Sequence, residues 1–157
     1  MWGDDHAETR RRGGSEADID SLTAEVGDAC IGIHRELGPG LLESVYELVL
    51  AGELERHGLK VDRQKPVDIT HNGIHHRAAF RMDLLVQDRL VLEIKAVEHL
   101  NNSHLKQLLT YLRLTGLSVG LLLNFSGSIM KEGIRRVVND HRSRLDTSAS
   151  PRLRGKS

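Results

Sequence analysis

Residues 117–125, LSVGLLLNF, constrain the fold more than any other stretch of the 157-residue chain. The run is almost continuously apolar, yet far shorter than the roughly 18 to 20 residues a membrane-spanning helix needs. A strand that is apolar on both sides has to be covered on both faces, as an inner strand of a sheet is. A helix precedes it over residues 103–116, with Leu105, Leu108, Leu109 and Leu112 on its apolar side. Ser103 is its expected cap and Gly116 its stop. The rest of the chain must supply more strands and the helices that cover them.

Two helical patterns open the chain. Val26, Ala29, Cys30, Ile33 and Leu37 recur at three- and four-residue steps behind Ser21 or Thr23, and Gly38-Pro39-Gly40 ends the pattern. From about Leu41 a second stripe follows through Leu42, Val45, Tyr46, Val49, Leu50 and Leu54 to Gly58. From Leu59 the period falls to two. Residues 59–62 and 67–70 read as strand, interrupted by Pro66, and Asn72-Gly73 is a hairpin turn signal. Residues 79–87 and 90–97 are two further strands joined at Asp88-Arg89, and a last helix is expected over 130–139. The order is α, α, three or four antiparallel strands, α, β, α, which is a single α/β sandwich with a mixed sheet. With only Trp2, two Tyr and two Phe, its core has to be built from Leu, Val, Ile and Ala.

Charge is segregated along a chain whose formal net charge is zero. Residues 1–28 hold eight acids and three bases, whereas residues 131–157 hold eight bases and three acids. We expect a flexible acidic arm over 1–20, a folded domain over 21–139 and a basic, disordered tail over 140–157. The basic tail can neutralise phosphates, but a solvated helix end and terminus is the plainer reading, so charge alone does not argue for nucleic acid. The opening residues have no apolar stretch to serve as a signal peptide, so the cytoplasm is the expected location, with no membrane partner. The single cysteine, Cys30, excludes an internal disulfide and a cysteine zinc site, and its place on an apolar stripe marks it as core. His71, His75, His76, His99 and His104 show no metal-ligand spacing and are expected at the surface, His104 being the first of them to consider as a general base.

That chemistry sits on the two strands around Asp88-Arg89. Phe80, Met82, Leu84 and Val86 alternate with Arg81, Asp83, Leu85 and Gln87; Leu90, Leu92, Ile94 and Ala96 alternate with Val91, Glu93, Lys95 and Val97. A hairpin folded about Asp88 opposes Asp83 and Glu93, with Cβ atoms about 4.5–5.5 Å apart. Two carboxylates that close destabilise the pair unless a cation joins them. Lys95 is one such cation, and a divalent metal such as Mg²⁺, which takes one or two carboxylates, waters and a phosphate oxygen, is the other. An ordinary amphipathic hairpin with a solvated Asp, Glu and Lys satisfies the same pattern.

Asp83 followed by Glu93-Ile94-Lys95 resembles the D…(D/E)-x-K core of the PD-(D/E)XK, restriction-endonuclease-like nuclease superfamily. Gln107-Leu108-Leu109-Thr110-Tyr111 is similar to the Q-x-x-x-Y motif of its RecB-like branch. Gly40-Leu41-Leu42-Glu43-Ser44-Val45-Tyr46 resembles the signature of the bacterial GxxExxY protein family. The resemblance spans roughly residues 23–138 and departs from the pattern where Arg81-Met82, with no proline, precede Asp83.

The resemblance implies an α-β-β-β-α-β core with a mixed central sheet flanked by helices, and an Mg²⁺ or Mn²⁺ site. Asp83 and Glu93 would be the principal ligands, joined by the backbone carbonyl of Ile94 and by Glu43. Lys95 would be the catalytic lysine, with Gln107 and Tyr111 approaching from the next helix. By residue type alone, Glu43 also suits the first turn of a helix, Gln107 and Tyr111 a polar rim, and Tyr46 the core. The function so implied is hydrolysis of phosphodiester bonds in nucleic acid, DNA first, by a homo-oligomer, a dimer foremost. The alternative is a catalytically silent protein of the same fold that acts as an oligomeric assembly or nucleic-acid-binding module.

Overall fold

Five strands form one sheet in the order β1-β2-β3-β4-β5, and every neighbour pair is antiparallel except β3 and β4. The strands are β1 (Val61–His71), β2 (Ile74–Val86), β3 (Leu90–Lys95), β4 (Val119–Asn124) and β5 (Ile134–Val138). Helices α1 (Asp4–Leu37) and α2 (Glu43–Arg56) precede them, and α3 (Asn102–Thr115) links the two parallel strands. This computed structural model describes residues 4–140, with side chains from residue 18 onward. Helix α1 begins inside the expected arm, and the tail beyond Asp140 lies outside the described residues.

The apolar run that opened the sequence argument is β4, and all six of its residues are buried. Leu121 and Leu123 face a cluster that includes Val26, Cys30 and Ile33 of α1 and Tyr46, Leu50 and Leu54 of α2. Leu122 faces the other way, onto Leu108 and Leu112 of α3. The sheet is thus the middle layer of three, as its continuous hydrophobicity requires. Gly120 lets α3 approach, since a Cβ there would lie 2.9 Å from a Leu108 methyl. Cys30 is fully buried, and that burial pushes its thiol far above the usual range, so it is packing material.

Four expectations change. Residues 130–139 are not a helix: Met130–Gly133 makes one 3₁₀ turn and Ile134–Val138 then pairs with β4. Gly133 forces the change, because its backbone runs so close to Asn124 that a Cβ would lie 2.2 Å from the Asn124 carbonyl oxygen. The β-branched Ile134, Val137 and Val138 then cover an edge of β4 that would otherwise be unpaired. Pro66 does not interrupt the first strand, since β1 is an edge strand and tolerates a missing N–H. The cap of α3 is Asn101, not Ser103: its Oδ1 accepts from Ser103 N–H and His104 N–H, while His104 Nδ1 accepts from Asn101 N–H at 3.1 Å. Neither Ser21 nor Thr23 starts α1, and the Thr23 hydroxyl donates to the Asp20 carbonyl inside it.

The Asn72-Gly73 turn is present, with φ of 49° and 76°, the paired positive values of a type I′ hairpin. The turn before β3 has the same signature at Gln87 and Asp88, and Lys60 braces it through an ion pair to Asp88. Leu84↔Leu92, Leu85↔Val91 and Val86↔Leu90 follow the register expected for a hairpin about Asp88.

Candidate active site

Pairing between β2 and β3 stops at Leu84↔Leu92, although both strands continue past it. The next pair in that register is Asp83 and Glu93, and there side chains replace the ladder. Asp83 N–H donates to Glu93 Oε1 at 3.3 Å, and Ile94 N–H donates to Asp83 Oδ2 at 2.9 Å. The strict alternation expected along β2 also breaks here. Leu84 and Val86 pack toward α1 and α2, whereas Phe80 and Met82 pack with Leu85 toward α3. Opposite Asp83 in the β1 register stands Gln64, a non-glycine residue with φ of 51°. A left-handed non-glycine backbone is strained, and such strain persists only where the surroundings hold it.

Groups from both helical layers enter the opening. From the α2 side comes Glu47, 5 % exposed, which accepts from Arg63 Nη2 at 3.1 Å and from Gln64 Nε2. Gln64 Nε2 also reaches Asp83 Oδ1 at 3.4 Å, so one amide bridges two carboxylates. Glu43 lies one turn before Glu47, and its Oε1 accepts from Ala96 N–H, just past the end of β3, at 3.1 Å. From the other side comes Tyr111, stacked on Phe80 with centroids 4.2 Å apart and hydrogen-bonded to Gln107. Burial, then the charges of Glu93 and Asp83, hold its phenol above the usual range.

Electrostatics single out the acidic pair. Burial, followed by the charge of Asp83, pushes the Glu93 carboxyl up to about 8. Asp83 is raised too, first by burial and further by the charge of Glu47, against the Ile94 hydrogen bond that lowers it. Both carboxyls are thus raised, and without a cation between them the pair resists full ionisation. Lys95, half-buried and two residues along β3, lowers the Glu93 value but does not cancel the burial.

The six side chains expected at the site therefore divide. Asp83, Glu93, Lys95 and Tyr111 share one electrostatic neighbourhood, with Gln107 bonded to Tyr111, and Glu43 caps the strand end at Ala96. Ile94 contributes its N–H to Asp83. His104 is engaged in the α3 cap. Tyr46 is core, as its place on the apolar stripe implies: fully buried, stacked on Phe125 at 4.3 Å and donating to the Gly38 carbonyl. Glu47, Gln64 and Arg63 were not expected. The one available signal was the i, i+4 spacing of Glu47 from Glu43, which puts both on one face of α2.

A three-layer α/β/α fold whose second hairpin opens onto an Asp, a Glu and a following Lys has the layout of a nuclease-type fold. A family model of the PD-(D/E)XK nuclease superfamily matches residues 20–137, and the chain belongs to that superfamily. Its members generally work with divalent metals on nucleic acid. The crystal structure of SSO0001 is similar at 19% identity and a TM-score of 0.49, covering 68% of this chain and 56% of that one, so this chain spans little more than half the length of that protein. No curated protein matches the sequence significantly.

The residues present suit a hard divalent ion. All side-chain donors are oxygens, and a buried and a half-buried carboxyl set against each other are a pair that a cation would relieve. Among the described residues no group of three His, Cys, Asp or Glu side chains is placed to enclose an ion, so water or phosphate has to complete the shell. Among them, too, no helix is long and apolar enough to cross a membrane.

Proposed function

We propose that this protein is a Mg²⁺- or Mn²⁺-dependent nuclease of the GxxExxY group that hydrolyses phosphodiester bonds in DNA. The observation that carries the reading is the Asp83–Glu93 pair, bonded across an opened strand pair beside Lys95. Asp83 and Glu93 would hold the ion, with the Ile94 carbonyl as a further ligand and Glu43, bonded to Ala96 N–H, joining the shell through water. Bound there it supplies Lewis acidity toward a phosphodiester and offsets the clustered negative charge. Ile94 N–H and Gln64 fix the Asp83 carboxylate, so its oxygens need not reorganise when charge develops. The Lys95 ammonium would orient the attacking water and stabilise the extra charge on the phosphorus oxygens. Tyr111 and Gln107 would donate to a non-bridging oxygen and set the depth of the strand. Glu47, tied to Arg63, keeps Gln64 in its strained conformation and acts as a positioning residue. The proposal includes a homodimer, which would present one site to each strand of a duplex. A monomer mass by light scattering removes that part.

The test is a cleavage screen of linear and circular DNA and RNA with Mg²⁺ and Mn²⁺. Asp83→Ala and Lys95→Ala should each lower turnover by at least about a hundredfold, in the range of other catalytic acid–base and electrostatic groups, while remaining folded. Cleavage that survives Asp83→Ala would place the chemistry elsewhere.

A further inference from the structure

We propose that the outer part of the β1–β2 ribbon is a duplex-binding arm that enters the major groove of DNA. The inference deepens the nuclease reading, and rests on it, by naming double-stranded DNA as the substrate form.

The geometry comes first. β2 loses its β3 partner beyond Leu84, yet its pairing with β1 runs on to His71↔Ile74 at the turn. About ten residues at roughly 3.4 Å each make a ribbon of about 30 Å. Its inner third is held by Phe80 against Tyr111, and residues 71–79 are all exposed. A two-stranded ribbon fits the B-DNA major groove, about 12 Å wide, whereas the A-form RNA groove is too narrow to admit it.

Charge points the same way. In a chain with no net charge, residues 65–81 carry Lys65, Arg77 and Arg81 against one acid, Asp68. Asp68 is already engaged: Oδ1 accepts from Ala78 N–H at 2.8 Å and Oδ2 meets His75 Nε2 at 3.1 Å. Those bonds pin a bulge. The register shifts between Val67↔Phe80 and Ile69↔His76, so residues 77–79 face Asp68 alone, and Ala78 takes a φ of 47°. A bulge re-aims the side chains on it, here Arg77. The tip adds Thr70, His71, Asn72 and His76, hydrogen-bonding groups suited to phosphates and base edges. Only Ile69 and Ile74 are apolar there, and without aromatics or a broad apolar face the tip does not resemble the core of a protein interface.

The experiment is fluorescence anisotropy of a short labelled DNA duplex on the full chain, with Ca²⁺ as the divalent ion, over a range of salt. Arg77→Glu should weaken binding at least about tenfold and reduce the log–log salt slope by about one, the value for one lost phosphate contact. His76→Glu, at another exposed position, should act in the same direction, and melting curves establish that both variants fold. Wild-type binding to an RNA duplex of matching sequence should be weaker than to DNA. Unchanged affinity and slope in both variants, or equal binding of the RNA duplex, overturns the arm. So does unchanged DNA binding with loss of a dimer by light scattering, which would assign the ribbon to a second copy. The readout is binding alone, so the arm can fail while cleavage persists, and cleavage can fail while the arm still binds.

Discussion

Glu93 keeps its proton to about pH 8 because it is buried and faces the charge of Asp83, and this makes the folded protein sensitive to pH. The unfolded carboxyl titrates near 4.5, so the raised value means the folded state binds that proton more tightly. The stability it confers is complete below about 4.5 and is lost as pH rises through about 8. With metal chelated, the melting temperature should fall between pH 5 and 8, and Glu93→Gln should flatten that dependence. Equal slopes in both proteins would show that the carboxyl is not held as described. At this scale the acidic pair was legible because a hairpin turn sets which residues oppose each other, and Lys95 followed by alternation. Glu47 and Gln64 were not, since their roles arise where α2 packs against β1, a contact no local pattern encodes. The backbone of Gln64 is less visible still, because a glutamine carries no signal for positive φ.

Among the elements, β5 shows how a short segment is decided by its neighbour. Residues 134–138, Ile-Arg-Arg-Val-Val, suit a helix end or a strand, and the unpaired edge of β4 selects strand. Close passage of Gly133 past the Asn124 carbonyl fixes where the strand begins. Gly133→Ala should therefore cost about 2 kcal/mol or more, because backbone has to move. Gly120→Ala should cost less, about 1 kcal/mol, since the flexible Leu108 side chain can yield. Urea midpoints at unchanged slope measure both, and the reverse order would contradict this account of the β4–β5 edge. Other elements were legible for plain reasons: four-residue steps in α2, period two in β1 and β3, and unbroken hydrophobicity in β4. The extent of β2 was not, since residues 74–78 are all exposed, break any alternation with His75, His76 and Arg77 in a row, and add to the strand without burying an apolar face.

Seen whole, the molecule places its opposite charges on facing parts of one chain. Asp20 of α1 meets Arg136 of β5 at 2.9 Å, so part of the charge asymmetry between the ends is met internally. The pair is exposed and adds little stability, but it aligns the acidic helix with the basic strand. The cationic ribbon continues along β2 from Asp83 of the carboxylate site, so a duplex held by one would lie near the other. Everything functional depends on whether Asp83 and Glu93 form a metal site. Calorimetric titration of Mn²⁺ into the purified protein, beside Asp83→Ala and Glu93→Ala, tests this most directly. The account predicts saturable binding to the wild type, with proton release below pH 8, and its loss in both variants. Equal binding by all three proteins, or none by the wild type with or without DNA present, would contradict it.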